Sequence, residues 1–231
     1  MEHSLSNNAP FNRRNLSGLF RFGLVTFVLA LPLLSWLTAI GNPFAYFRYE
    51  LPPGQVLYIL AKLAGMYAFV LLWFQAMMAL LKRDRLSGYL VPEWTLDRHR
   101  VLGIATILTA WTHFLCFFSA VSIRKETVAS DLLLPQFQEG IYSFAVSLGW
   151  IALVGLTVVA LTGLLRGRRQ GIWALAHRLS MLVFLLAFFH AQMIGSETKT
   201  GLWLFVHLLF LATLLLAIAR RVTDKLTTAH R

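Results

Sequence analysis

Five of the chain's seven histidines lie away from its polar ends: His99, His113, His177, His190 and His207. Imidazole moves protons near neutral pH and binds transition metals through a ring nitrogen. The spacing is more telling than the residue type. His99 and His113 are 14 residues apart, and His177 and His190 are 13 apart. In a helix each interval covers about 20 Å. If the two segments are helices running in the same direction, His99 is level with His177 and His113 is level with His190. Facing imidazoles at one level can ligate a haem iron from both sides, as helix bundles do with cofactors. With both axial positions filled, such an iron suits electron transfer rather than oxygen binding. A lone histidine inside a membrane span often only hydrogen-bonds a neighbouring helix, so it is the paired pattern that carries the metal-binding reading.

Azimuth is less accommodating than height. Fourteen residues leave His99 and His113 about 40° apart, on one helix face, whereas thirteen leave His177 and His190 about 140° apart. A straight ideal helix does not aim both of the latter at one partner. A frayed or tightened turn at His177, rotamer choice and helix crossing are the available remedies.

The elements that must position these residues are membrane helices. Of the 231 residues, 58% are hydrophobic and 13% charged, too few polar groups to cover a soluble domain. Six apolar runs match the hydrocarbon thickness: Leu19–Ile40, Gln55–Leu81, Val101–Val121, Ile141–Leu165, Ile172–Ile194 and Gly201–Ala219. Backbone groups find no partner in lipid, and period-2 alternation is absent, so the expected fold is an all-α polytopic bundle of six transmembrane helices. Residues 1–18 and 220–231 are expected as polar tails around a 19–219 membrane domain. The first run is read as a retained helix rather than a secretory signal. Pro32 is a candidate kink in it. Cys116 is the only cysteine, which excludes a disulfide framework, an iron–sulfur cluster and a thiolate metal cage.

Sixteen of the 21 Lys and Arg residues fall in the N-terminus, second loop, fourth loop and C-terminus, while the acidic residues split evenly. One side therefore carries the whole net charge of +11. By the positive-inside rule both termini are cytoplasmic, in a bacterial inner membrane or similar cell membrane, and no nucleic-acid partner is needed. His99 and His177 then lie near the cytoplasmic face, with His113 and His190 further outward.

At this point the residues resemble the ferric reductase-like transmembrane domain shared by ferric reductases and NADPH oxidases. The resemblance rests on Asp97-Arg98-His99-Arg100-Val101-Leu102-Gly103 with His113, and on Trp173-x3-His177-Arg178-Leu179 with His190. It covers roughly Leu19 to Ala219, and the spacing of 13 belongs to the family too. It implies two haems b, one held by His99 and His177 and one by His113 and His190. It also implies an electron path from the cytoplasm outward to a metal ion, oxygen or a periplasmic reductase. Full-length oxidases and reductases continue into a flavin and nicotinamide domain. Here Arg220 to Arg231 follow the last span, and no dinucleotide fingerprint occurs. The expected donor is a separate flavoprotein or a membrane quinol. The chain is thus read as an oxidoreductase component, similar also to the membrane haem subunit of the bacterial periplasmic methionine sulfoxide reductase. Retention of His99 places it closer to the di-haem reductases.

Other residues have plainer readings beside functional ones. Arg100 and Arg178 follow the inner histidines and are candidate partners for haem propionates, although positive-inside charge explains them equally. Lys62 is expected either to snorkel outward or to meet a propionate or a proton path. His207 is expected to pack or hydrogen-bond, with quinone contact or alternative ligation as the sharper reading. The tryptophans are scattered, and an interfacial belt explains the several that lie near span ends. Glu126, Asp131 and Glu139 in the loop Ser122–Gly140 either attract cationic metal or are simply solvated. A proton- or ion-coupled transporter using the intramembrane histidines and Lys62 is the competing function, and a cofactor-free membrane anchor is a third. The absence of repeated halves speaks against the transporter.

The charge asymmetry predicts a labelling pattern. A cysteine introduced near Arg168 is shielded from an impermeant reagent in intact cells, and one near Asp131 is labelled. The reverse pattern would invert the proposed direction of electron flow.

Overall fold

The structure, a computed structural model of the chain, describes residues 13–47, 50–81, 96–138, 140–164 and 170–229. Seven α-helices are found among them: α1 Arg13–Ile40, α2 Gln55–Leu81, α3 Leu96–Lys125, α4 Ile141–Leu164, α5 Gln170–Arg178, α6 Ser180–Ile194 and α7 Gly201–Ala229. Short 3-10 turns at Pro43–Phe47 and Ser130–Leu133 are the remaining regular elements. No strand occurs among the described residues. Six helical stretches are long and apolar enough to cross a membrane. The chain is an all-α, multi-pass membrane protein.

Several boundaries differ from the hydropathy reading. Helix α1 starts before the apolar run and continues through Pro32. Helix α3 starts at Leu96, which places His99 inside its first turns. Helix α7 runs on to Ala229, so most of the expected C-terminal tail extends the last span. Hydropathy marks where lipid begins, whereas backbone hydrogen bonding carries a helix into the polar zone. The fifth span is two helices. Leu179 separates α5 from α6, with its N–H facing the carbonyls of both Leu175 (3.3 Å) and Ala176 (3.1 Å). The second bond is of the i→i−3 kind, a 3-10 tightening of the turn that follows His177.

Helix α2 is the hub of the bundle. It packs on α1, α3, α6 and α7, and contributes a dozen buried side chains from Ile59 to Leu81. The core around it is aromatic. Phe184 is fully buried with its ring centroid 5.1 Å from that of Phe69, and Trp73 stacks on Phe210 at 4.5 Å. Such pairs contribute packing that lipid cannot supply. Trp73 and Trp203 are buried and belong to this core. Trp73 Nε1 donates to Thr213 Oγ1, Trp36 Nε1 to the Ile59 carbonyl and Trp111 Nε1 to Thr157 Oγ1. Trp94 lies outside the described residues, as does the side chain of Trp173.

Helix α3 packs most extensively on α2, and α6 on α4, while α3 and α6 scarcely touch each other. The two histidine-bearing spans are therefore held apart by their own neighbours, which leaves a slot between them.

The fold predicts an uneven response to truncation. Phe184→Ala lowers stability by about 3 kcal/mol, because a buried aromatic leaves a cavity. Leu182→Ala, at a half-exposed site on the same helix, changes it far less. Thermal unfolding of the two variants in detergent checks this, and equal losses would contradict the aromatic core.

Candidate functional site

His113 projects from α3 toward α2. Its Nδ1–H donates to the carbonyl of Ala61 over 2.7 Å. His190 projects from α6 toward α4 and does the same to Ala145 over 2.8 Å. A carbonyl only accepts, so in both rings Nδ1 carries the proton and Nε2 keeps its lone pair. This is the arrangement of a metal-binding imidazole, whose second nitrogen is tied to an outer oxygen that fixes tautomer and aim.

Glycines make the approach possible. A Cβ on Gly65 would lie 2.8 Å from His113 Nδ1, and one on Gly149 would collide with the ring of His190. Each glycine stands four residues beyond the accepting carbonyl, as Ala61-x3-Gly65 and Ala145-x3-Gly149. The carbonyl and the bare backbone together form one seat on the helix surface. Sequence reasoning missed both seats, although paired small residues at this spacing mark close helix approach in membranes.

The rings meet in pairs across the slot. His113 and His190 have centroids 6.2 Å apart at 76°. His99 and His177 have centroids 5.7 Å apart at 69°. Two imidazoles on opposite sides of one metal ion, each bonded at about 2 Å, have centroids about 6 Å apart. Both pairs match that spacing. Between His177 and His190 lies the tightened turn at Leu179, where α5 gives way to α6. Ser180 Oγ donates to the His177 carbonyl at 2.6 Å in the same turn. On the other side Gln75 Nε2 donates to the His99 carbonyl at 2.8 Å. Gln75 is a further residue that the sequence did not single out.

Among the described residues, no group of three or more His, Cys, Asp or Glu side chains could hold a bare metal ion. Each site is a pair. A pair of nitrogens would suffice for a metal whose remaining donors a macrocycle supplies. Beside His113 and His190 lies a cavity of about 220 Å³, walled by Gly65, Phe69, Phe114, Gly149, Leu153 and His207 among others. It is mostly apolar, as a porphyrin face requires. His207 is completely buried and stacks on Phe188 at 4.4 Å and 8°. Neither of its nitrogens makes a well-formed hydrogen bond, the Phe188 backbone being the polar group that approaches it. A buried polar group beside a cavity with no such bond points to an occupant. Glycine seats, apolar walls and this imidazole all fit haem.

The remaining expected residues are placed as follows. Arg100 and Arg178 are exposed at the His99–His177 level. Lys62 does not run free toward water. Its Nζ is 2.9 Å from Glu197 Oε1 and 2.7 Å from Ser196 Oγ. Asp131 is paired with Lys125 at 2.7 Å, and the hydrogen bond from that ammonium holds its carboxyl below the usual range. One of the loop acids considered for cationic metal is thus already paired. Glu139 lies outside the described residues.

The seats predict a steric test. Gly65→Ala or Gly149→Ala displaces one imidazole and should lower the haem content. Gly163→Ala, where a Cβ meets nothing within 4 Å, should leave it unchanged. A haemochrome assay of the purified variants decides, and full haem content in both seat variants would remove the seats from the site.

Residues 64–188, more than half of the chain, match the model of a protein family described as ferric reductase like transmembrane component. The matched stretch takes in Gly65, His99, His113, Gly149 and His177 and ends just before His190. No curated protein and no solved structure matches the chain. Six membrane helices, histidines facing in pairs and the family match agree, and the chain belongs to the ferric reductase-like transmembrane family.

Proposed function

We propose that this chain is a transmembrane electron-transfer subunit that holds two b-type haems, one between His99 and His177 and one between His113 and His190. The observation that carries the reading is the second pair. Both rings have Nδ1 committed to a backbone carbonyl and Nε2 available, at a separation suited to one metal between them. Haem supplies reversible one-electron iron chemistry when bound.

The protein's own residues do the rest. The carbonyls of Ala61 and Ala145 fix the ring orientation and raise the basicity of the opposite nitrogen. Phe69, Phe114 and Leu153 exclude water, which limits rearrangement of the surroundings on a change of charge. The height difference within α3 stacks the two sites along the membrane normal, so electrons cross in two steps. Arg100 and Arg178 supply positive charge where propionates would lie at the His99–His177 face. By the distribution of basic residues that face is cytoplasmic. The donor is a separate flavoprotein or a membrane quinol. The acceptor is on the outward side, as a metal ion, oxygen or a periplasmic reductase. No observation favours the transporter reading over this one.

The test is the haem count with ligand variants. Purified protein reduced with dithionite should show a b-type difference spectrum and close to two haems per chain. His113→Ala and His190→Ala should each remove one haem, and His99→Ala and His177→Ala the other, so the double variant His99→Ala/His113→Ala should hold none. Wild-type haem content in the His99→Ala and His113→Ala variants would refute the assignment. A protein with no haem spectrum would return the question to the transporter or anchor.

A further inference from the structure

Lys62 and Glu197 touch two cavities at once. One is the space beside His113 and His190. The other is a second space of about 480 Å³ between the last turns of α1, the first turns of α2 and the segment leading into α7. Both are lined by Lys62, Ser196, Glu197 and Trp203. The ion pair is therefore part of the partition between them.

The second cavity is built differently from the first. Ser35, Thr38, Ser196 and Thr200 bring hydroxyl side chains to it. Ser35 is only 4% exposed, yet its Oγ has no hydrogen-bond partner in the protein. A buried hydroxyl left without a partner beside a roomy polar cavity implies water or a polar guest. The partition itself is a closed ring of contacts. Lys62 Nζ donates to Ser196 Oγ and Glu197 Oε1, Ser196 Oγ donates to Glu197 Oε2 at 2.9 Å, and the ammonium sits 5.0 Å from the Tyr58 ring centroid. The two side chains are 24% and 12% exposed. The pair joins α2 to the segment before α7 through side chains alone, so parting it requires no change in helical hydrogen bonding.

From this arrangement we infer that the second cavity is a hydrated vestibule, and that the Lys62–Glu197 pair is the gate through which a small water-soluble one-electron acceptor reaches the His113–His190 site. The inference rests on the electron-transfer reading of that site. It commits the acceptor class, since a folded protein cannot pass a partition made of two side chains. The acceptor would gain one electron, given up by the reduced haem that His113 and His190 would hold. No bond is made or broken, and no proton moves.

Stopped-flow reoxidation of the dithionite-reduced holoprotein tests the gate. Two small oxidants of opposite charge are used, hexacyanoferrate(III) and a cationic ferrocenium derivative, with an oxidised soluble haem protein as the large control. Glu197→Ala should speed reoxidation by both small oxidants about threefold or more, as expected for removal of a gate. Thr38→Cys in a Cys116→Ala background folds with the vestibule intact and is then plugged with a bulky maleimide. Plugging should slow both small oxidants by a similar factor relative to the same protein unlabelled. Reoxidation by the large oxidant and the haem spectrum should not change in either case. Acceleration of hexacyanoferrate(III) alone would mean simple attraction to a freed Lys62 and would overturn the gate. So would unchanged rates in the Glu197 variant and the plugged protein with haem content intact. A wild type without a b-type spectrum would instead defeat the electron-transfer reading, before any rate is measured.

Discussion

An imidazole buried among apolar helices has two nitrogens to satisfy, and everything at the His113–His190 level follows from how one of each pair is satisfied. His113 spends Nδ1 on the Ala61 carbonyl and His190 spends it on the Ala145 carbonyl. Those oxygens already belong to helices whose backbone groups must stay paired inside lipid. A carbonyl has two lone pairs, so each can accept an imidazole without loss of the helical bond. That second acceptance is geometrically open only where the helix surface is bare, which is why Gly65 and Gly149 stand one turn along. The seat, the tautomer and the direction of Nε2 are consequences of one hydrogen bond. Its dependence on a missing Cβ makes the position intolerant of any larger residue.

The scaffold then separates the jobs of packing and presenting. Helices α2 and α4 serve as backing for α3 and α6, so the histidine-bearing helices need not touch. A direct α3–α6 contact would close the slot. The fifth span is two helices: His177 belongs to α5 and His190 to α6, with the tightened turn at Leu179 between them. The third span needs no such break, because fourteen residues return nearly to the same face.

Charge is managed locally throughout. Lys62 meets Glu197, Lys125 meets Asp131, and Arg124 reaches the Pro53 carbonyl, Gln55 Oε1 and the Tyr58 ring. His207, by contrast, is shut between Phe69 and Phe188 with no well-formed hydrogen bond at either nitrogen. The two patterns divide the site end of the bundle into a polar rim and a dry interior.

Sequence by itself determined the parts that depend on position along one helix. Apolar runs announced six spans, because lipid rewards length and composition regardless of neighbours. Spacings of 14 and 13 set the heights of the four histidines, because rise per residue is a constant of the helix. The awkward azimuth of the second pair was legible too, along with the tightened turn as one of its remedies. What lies sideways was not legible. Nothing local links His113 to Ala61 or Lys62 to Glu197, which are 52 and 135 residues apart. The same holds for Trp73 and Trp203, whose place in the aromatic core no local pattern marks. Which faces meet is decided by the summed fit of side chains over the whole bundle, and that sum exists only once the helices have packed.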